Sequence, residues 1–202
     1  MRLVVDLNAD LGEGFGESRL QADAALLDLV TSANIACGFH AGDATTMRDT
    51  VRGAKERGVT IGAHPSYPDI PGFGRRELGL SPREIGRHVE YQIRALADVC
   101  SMEGARIAYV KPHGALYNRA VWDTRVAEAI VGAIRKVNPG LSLLGLPSSE
   151  MSKAAMRAEA QAMPPEVQAP GEPATCKSTS RQLAPVSRRH VPRARRVTSS
   201  MR

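Results

Sequence analysis

The chain has few aromatic residues, few cysteines and no long apolar run. Phe, Trp and Tyr make up 4% of its 202 residues, so aliphatic side chains must supply most of the buried surface. The three cysteines, Cys37, Cys100 and Cys176, are odd in number and widely spaced, which argues against a disulfide framework and favours a reducing, cytoplasmic compartment. The opening residues MRLVVDLNAD are not typical of a signal peptide. No stretch approaches the roughly 18 consecutive apolar residues of a membrane span, so we expect no membrane association.

The formal net charge of +6 is confined to one part of the chain. Residues 1–150 contain 17 Lys and Arg against 18 Asp and Glu, whereas residues 151–202 contain 10 against 3. The first part is therefore nearly neutral. A nucleic-acid-binding domain usually carries a basic face on the folded part itself, so we expect no nucleic-acid partner.

The first 150 residues alternate between short β-branched runs and longer segments with helical apolar spacing. The sequence predicts strands at residues 2–7, 32–37, 59–63, 106–110 and 141–146. It predicts helices at residues 21–31, 44–57, 82–103 and 124–137, with another opening near Ser149. Ser81 and Glu84 form a capping-box pattern before the longest helix. Such alternation predicts βαβ crossovers and a parallel α/β sheet, either open or closed as a barrel.

The pattern stops at about residue 158. Residues 159–202 are rich in Pro, Ala, Ser, Thr and Arg and have neither strand nor helix periodicity. A segment of this composition buries too little apolar surface to offset the entropy of ordering. We therefore predict a catalytic domain at residues 1–158 and a disordered basic tail at residues 159–202.

Ionisable residues follow each of the first four predicted strands. In parallel α/β folds the loops after the strands converge on one edge, where ligands bind. The candidates are Asp6 within the first predicted strand near its end, Asn8, Asp10 and Glu13 after that strand, His40 after the second, His64, Arg75 and Arg76 after the third, and Lys111 and His113 after the fourth.

These residue types support two kinds of chemistry. Asp10, His40 and His64 could bind a divalent metal ion, although their spacing matches no compact metal motif. Lys111 could stabilise an oxyanion or hold a carboxylate, and His113 could transfer a proton. Each of these side chains could instead have a purely structural role. For Cys37, a small buried side chain is the favoured interpretation.

Five blocks of the sequence resemble the LamB/YcsF family, the A subunits of bacterial 5-oxoprolinase. They are VDLNADLGEGFG, NIACGFHAGD, IGAHPSYPD, GFGRR and YVKPHGALYN, and the resemblance extends to LLGLPSSEMSKAA near residue 156. It implies an irregular TIM-barrel-like fold of the glycoside hydrolase/deacetylase type. It also implies ATP-dependent opening of the 5-oxoproline lactam to L-glutamate in a complex with subunits B and C, with Mg²⁺ accompanying the ATP.

For this reaction we expect Asp10, His40, His64, His113 and Lys111 to be catalytic. Asp6, Asn8, Glu13, Arg75 and Arg76 are the expected substrate-binding residues. The segment from residue 157 resembles no part of the family, and its composition is typical of a shifted reading frame or a truncated product, with a barrel that is incomplete at its end. Two alternatives stay open: a stand-alone metal-dependent amidohydrolase or deacetylase, and an inactive copy with only residual binding.

Overall fold

The computed structural model of the protein describes residues 5–14 and 17–162. Five strands and six helices follow one another in this part of the chain. The strands are β1 (Asn8–Leu11), β2 (Ser32–Ala36), β3 (Thr60–His64), β4 (Ile107–Val110) and β5 (Ser142–Leu143). The helices are α1 (Glu17–Leu27), α2 (Ala44–Glu56), α3 (Pro82–Met102), α4 (Gly114–Trp122), α5 (Thr124–Val137) and α6 (Glu150–Ala162).

The strands form one parallel sheet in the order β1-β2-β3-β4-β5. Each strand lies beside the next strand of the chain, without the reversal of order that defines an open, doubly wound sheet. Sequential parallel neighbours joined by helices are the arrangement of a (β/α) barrel. The predicted α/β, TIM-barrel-like fold is confirmed.

The core lies between the sheet and the helices. The strands contribute Ile35 and Val110, which are fully buried. The amphipathic helices α3 and α5 contribute Ile93, Leu96 and Ile130, which are also fully buried. At roughly 25 cal/mol per Å² of apolar surface, this packing is the main force that holds the helices on the sheet.

Helix ends agree well with the sequence. Helix α5 has the predicted bounds, and α3 begins with the predicted capping box, in which the Glu84 backbone N–H donates to Ser81 Oγ and the Ser81 backbone N–H donates to the Glu84 carboxylate. The N-cap of helix α2 is Asp43, whose carboxylate accepts the Thr46 backbone N–H at 2.7 Å. These caps satisfy amide groups that the helices leave free.

Three predictions about elements need correction. Strand β1 begins at Asn8, whereas the apolar run at residues 2–7 predicted it earlier. Helix α4 was not predicted, because it follows a Pro-His-Gly segment typical of a loop. Helix α6 runs to Ala162, past the predicted domain boundary at residue 158. Residues 163–202, which hold most of the predicted tail, lie outside the described residues.

No helix within the described ranges combines the length and the apolarity needed to cross a bilayer.

Candidate active site

The carboxyl ends of β1 to β4 bring three histidines and two carboxylates together. His64 is the last residue of β3, while His40 and His113 follow β2 and β4. Asp10 lies in β1, and Glu13 follows it. His40 and His64 are each 1% exposed and His113 is 6% exposed. The structure thus places all four of the predicted catalytic Asp and His residues in one cluster.

Glu13 lies at the centre of the three imidazoles. Its Oε1 is 3.0 Å from His40 Nε2, 3.4 Å from His113 Nδ1 and 3.7 Å from His64 Nε2. Burial alone would raise the pKa of Glu13, but the hydrogen bond from His40 and the adjacent histidines outweigh it and lower the pKa. The carboxylate is therefore ionised and attracts positive charge to this point.

Two backbone carbonyls define the tautomers of His64 and His113. His64 Nδ1 is 2.7 Å from the Lys111 carbonyl oxygen, and His113 Nε2 is 2.9 Å from the Phe73 carbonyl oxygen. A carbonyl can only accept, so each of these ring nitrogens carries the hydrogen. The other nitrogens, His64 Nε2 and His113 Nδ1, lie 3.0 Å apart. Burial, together with His40 and His64, lowers the pKa of His113 to about 4, so its Nδ1 has a free lone pair near neutral pH.

His40 stacks on His113 and completes the cluster. The two ring centroids are 3.9 Å apart with an interplanar angle of 11°. Burial lowers the pKa of His40, although the Glu13 hydrogen bond opposes this effect. In this neutral form His40 donates its Nε2–H to Glu13, and its buried Nδ1 has no hydrogen-bond partner among the described residues.

Asp10 and Lys111 form an ion pair at the mouth of the cluster. Lys111 Nζ donates to Asp10 Oδ1 at 2.7 Å, and Asn34 Nδ2 donates to the same oxygen at 2.6 Å. Asp10 Oδ2 lies 3.4 Å from His64 Nε2. Burial alone would raise the pKa of Asp10, but His64, Lys111 and Asn34 hold it well below its usual range.

A cavity of about 270 Å³ opens onto these groups. Two cationic side chains, Lys111 and Arg75, share its wall with Asp10, His64 and His113. The remaining lining comes from Pro112 and from the first residues of α4. A small anionic molecule could therefore contact a cation while lying next to His64 and His113. A larger cavity, of about 370 Å³ between α3 and α5, is lined by neither histidine nor carboxylate.

The loop after β3 closes over the imidazoles. Phe73 has a left-handed backbone (φ 54°), an unusual conformation for a residue with a Cβ. This conformation accompanies the contact of its carbonyl with His113. Gly74 (φ 63°) passes so close that an added Cβ would lie 2.9 Å from His40 Cβ and 3.0 Å from His113 Cδ2. Only glycine therefore fits at this point of the loop.

The structure separates three of the predicted substrate-binding residues from the cavity. Asp6 precedes β1, where its carboxylate accepts hydrogen bonds from Ser32 and Thr31 at the amino end of the strands. Arg76 forms an ion pair with Asp69, with Arg76 Nε 3.0 Å from Asp69 Oδ2. Asn8 is the first residue of β1 and exchanges hydrogen bonds with Asn34. It does not line the cavity. Asp6 was predicted inside the first strand near its carboxyl end, and this was wrong, because β1 begins at Asn8, after Asp6.

Some positioning residues gave no clear signal in the sequence. Gln92, buried in α3, donates to the Ser66 carbonyl at 2.8 Å and accepts the Ser66 N–H at 2.9 Å, which anchors the loop after β3. Asn34 was visible only as one polar residue in an apolar strand. Cys37 is buried, as predicted, and burial raises the pKa of its thiol to about 12. It is therefore no nucleophile near neutral pH.

Four side chains offer atoms that could hold a metal ion. The ligand atoms of Glu13, His40, His64 and His113 all lie within 4.8 Å of one another. The predicted metal set was Asp10, His40 and His64. The observed group shares two histidines with it but has Glu13 and His113 in place of Asp10.

Comparison with known proteins gives a consistent result. The model of the LamB/YcsF family matches residues 5–169. The chain is 54% identical over 153 residues to the 5-oxoprolinase A subunit of Bacillus subtilis, a match that covers 76% of this chain and 60% of that protein. It is 54% identical over 155 residues to the 5-oxoprolinase A subunit of Streptomyces avermitilis, with coverage of 77% and 62%.

A solved structure supports the same relationship. The crystal structure of a lactam utilization protein from Thermus thermophilus superimposes with a TM-score of 0.73 at 45% sequence identity, covering 78% of this chain and 64% of that one. The chain spans about 60% of the length of the curated relatives it matches. The family match includes every residue of the histidine and carboxylate cluster. The chain belongs to the LamB/YcsF family.

Proposed function

We propose that this chain acts as the A subunit of an ATP-dependent 5-oxoprolinase, which opens the lactam of 5-oxoproline to give L-glutamate. The observation that carries the proposal is the 54% identity to proteins named as A subunits of 5-oxoprolinase, across a segment that contains the whole cluster. We also propose that it works in the cytoplasm together with subunits B and C.

The charge of the cavity is complementary to that of the substrate. 5-Oxoproline carries one carboxylate, and Lys111 and Arg75 both line the cavity. Either cation can hold this carboxylate, while Lys111, next to the histidines, can also stabilise negative charge on the amide oxygen. Tyr117 and Pro112 supply apolar wall area.

Opening the ring requires proton transfers. Water adds to the lactam carbonyl carbon and loses a proton, the C–N bond breaks, and the departing nitrogen gains a proton. With no metal ion bound to them, the nitrogens His64 Nε2 and His113 Nδ1 can accept the proton from water. In this proposal ATP, with its Mg²⁺, supplies the driving force: its γ-phosphoryl group passes to the amide oxygen and ADP is left. Water then attacks, the C–N bond breaks, and a second water releases inorganic phosphate from the resulting acyl phosphate.

A stand-alone metal-dependent amidohydrolase is the second candidate. The observation that favours it is the group of Glu13, His40, His64 and His113, whose ligand atoms all lie within 4.8 Å of one another. Such an enzyme would hydrolyse an amide without ATP.

Glutamate release from 5-oxoproline, with and without ATP, distinguishes the two candidates. The chain is assayed together with its B and C partner proteins, and each partner is omitted in turn as a control. Release that requires ATP and all three proteins supports the first candidate. ATP-independent amide hydrolysis by this chain alone would replace it with the second.

A further inference from the structure

The space between His64, His113 and Glu13 is surrounded by electron-pair donors. His64 Nε2 and His113 Nδ1 face each other at 3.0 Å, and in the neutral form of both rings neither carries a hydrogen, because the opposite ring nitrogen of each donates to a carbonyl. Glu13 Oε1 lies 3.4 Å from one and 3.7 Å from the other. Lone pairs that face one another in a buried site repel unless a cation lies between them.

The three distances match those of a metal coordination shell. A tetrahedral zinc ion bound at about 2.0–2.1 Å places its ligand atoms about 3.3–3.4 Å from one another. The observed separations of 3.0, 3.4 and 3.7 Å lie on both sides of that value. The rings of His64 and His113 are nearly perpendicular, at 87°, so their lone pairs can converge on one ion.

The groups behind these three side chains are also those of a metal site. Metal-binding histidines usually donate the other ring N–H to a carbonyl or carboxylate, which orients the ring. The carbonyls of Lys111 and Phe73 have this role for His64 and His113. His40 donates its Nε2–H to Glu13 and so holds the third side chain. Its ring is stacked parallel on His113, an orientation that suits a supporting residue better than a ligand.

We infer that His64 Nε2, His113 Nδ1 and Glu13 Oε1 bind one divalent transition metal ion of the zinc type. Two imidazoles and one carboxylate leave the fourth position of a tetrahedral ion open, as in catalytic zinc sites. His64 and His113 also line the cavity proposed for the substrate. A zinc-type ion brings the pKa of a bound water close to 7, which assists amide hydrolysis.

This inference does not depend on which amide the site opens, because binding of the ion can be measured without turnover. The full 202-residue chain is stripped of metal with a chelator and titrated with Zn²⁺ by calorimetry. Co²⁺ is the second probe, because its visible absorption spectrum reports the coordination geometry.

Two substitutions remove a ligand nitrogen and keep the supporting hydrogen bond. His113→Gln retains a donor near the Phe73 carbonyl and lacks Nδ1. His64→Asn retains a donor near the Lys111 carbonyl and lacks Nε2. His88→Gln, a histidine of α3 outside the cluster, is the matched control, and circular dichroism shows whether each variant is folded.

We expect the wild type and His88→Gln to bind one ion at this site with equal affinity. His113→Gln and His64→Asn should each weaken binding by at least about 100-fold, more than the 10–100-fold typical of changes behind the ligands. Metal bound elsewhere on the chain is bound equally by the wild type and the three variants, so it does not affect the comparison of their affinities. Absence of Zn²⁺ binding by the folded wild type, or equal binding by the folded variants, would overturn the inference.

Discussion

Lys111 Nζ donates a hydrogen bond of 2.7 Å to Asp10 Oδ1, although the two residues belong to strands that are not neighbours. Asp10 lies in β1 and Lys111 directly follows β4, so the ion pair spans the inner face of the sheet across β2 and β3. Asn34 of β2 donates to the same carboxylate oxygen. The pair keeps a cation beside His64 at the point where the cavity opens.

The first prediction concerns the ammonium group of Lys111. Its side chain is 26% exposed and that of Asp10 is 35% exposed, so loss of the pair should change the free energy of unfolding by less than about 1 kcal/mol. If Lys111 stabilises charge on the substrate, Lys111→Met should lower kcat/KM by about 10²–10³-fold. Denaturant unfolding and glutamate release measure the two effects.

The matched control is Lys136→Met. Lys136 forms a longer pair with Glu90, 3.7 Å, on the outer helices. It should leave kcat/KM unchanged. A Lys111→Met enzyme with wild-type kcat/KM would remove Lys111 from the proposed mechanism.

The second prediction concerns Gly62 of β3. A Cβ at this position would lie 2.2 Å from Tyr109 Cε2, because the Tyr109 ring crosses directly over the strand. Gly62→Ala should therefore destabilise the protein by about 1–3 kcal/mol through displacement of that ring. Thermal or denaturant unfolding measures the change.

Gly132→Ala is the control for the same chemical change. Gly132 lies within α5, and its added Cβ would meet nothing within 4 Å. Alanine there should stabilise the protein by about 0.4–1 kcal/mol, since it restricts the unfolded chain and favours helix. If both substitutions changed the free energy of unfolding in the same direction, the close contact between the Tyr109 ring and Gly62 would be contradicted.

Elements with a local signal were predictable from the sequence. Helix α5 and the cap of α3 have their predicted positions because the apolar spacing and the Ser81–Glu84 pattern are properties of adjacent residues. Strand β1 was not predictable in this way, because the hydrogen-bond partners of its polar residues Asn8 and Asp10 lie on β2 and after β4. These partners are far away in sequence, so the more apolar run at residues 2–7 was predicted as the strand instead.

The site shows the same division. The convergence of His40, His64 and His113 followed from their positions after parallel strands. The sequence did not show which carboxylate contacts the imidazoles, because this depends on where β1 begins. In the structure Glu13 lies against the imidazoles, while Asp10 pairs with Lys111. Backbone atoms that orient the rings, such as the Phe73 carbonyl, leave no trace in side-chain patterns.

The third prediction concerns pH and the loop after β3. Asp69 is 2% exposed. The hydrogen bond from Arg76 lowers the pKa of its carboxyl group, with a further contribution from the Gly72 N–H. The folded chain therefore binds fewer protons at Asp69 than the unfolded chain. The carboxylate stabilises the fold above the unfolded pKa of about 3.9, and this stabilisation is lost as the pH falls through the lower folded pKa.

Asp69→Asn tests this relationship. The variant should be less stable than the wild type at pH 7, and the difference should shrink steadily as the pH falls below about 4. Arg76→Gln should reduce the same acid dependence, because it removes the principal partner. Urea unfolding at a series of pH values gives the free energies. If the difference in free energy of unfolding between the wild type and Asp69→Asn stays constant from pH 7 to pH 3, the ion pair of Asp69 with Arg76 does not stabilise this loop.

The central claim is tested most directly by glutamate release from 5-oxoproline when this chain is combined with the proposed subunits B and C and His113→Gln is compared with His88→Gln. His113 is part of the cluster, whereas His88 lies outside it on α3. We predict ATP-dependent release by the wild type and by His88→Gln, and a loss of at least about 100-fold in His113→Gln. Wild-type turnover by a folded His113→Gln complex would contradict the assignment of the cluster as the site where the lactam is opened.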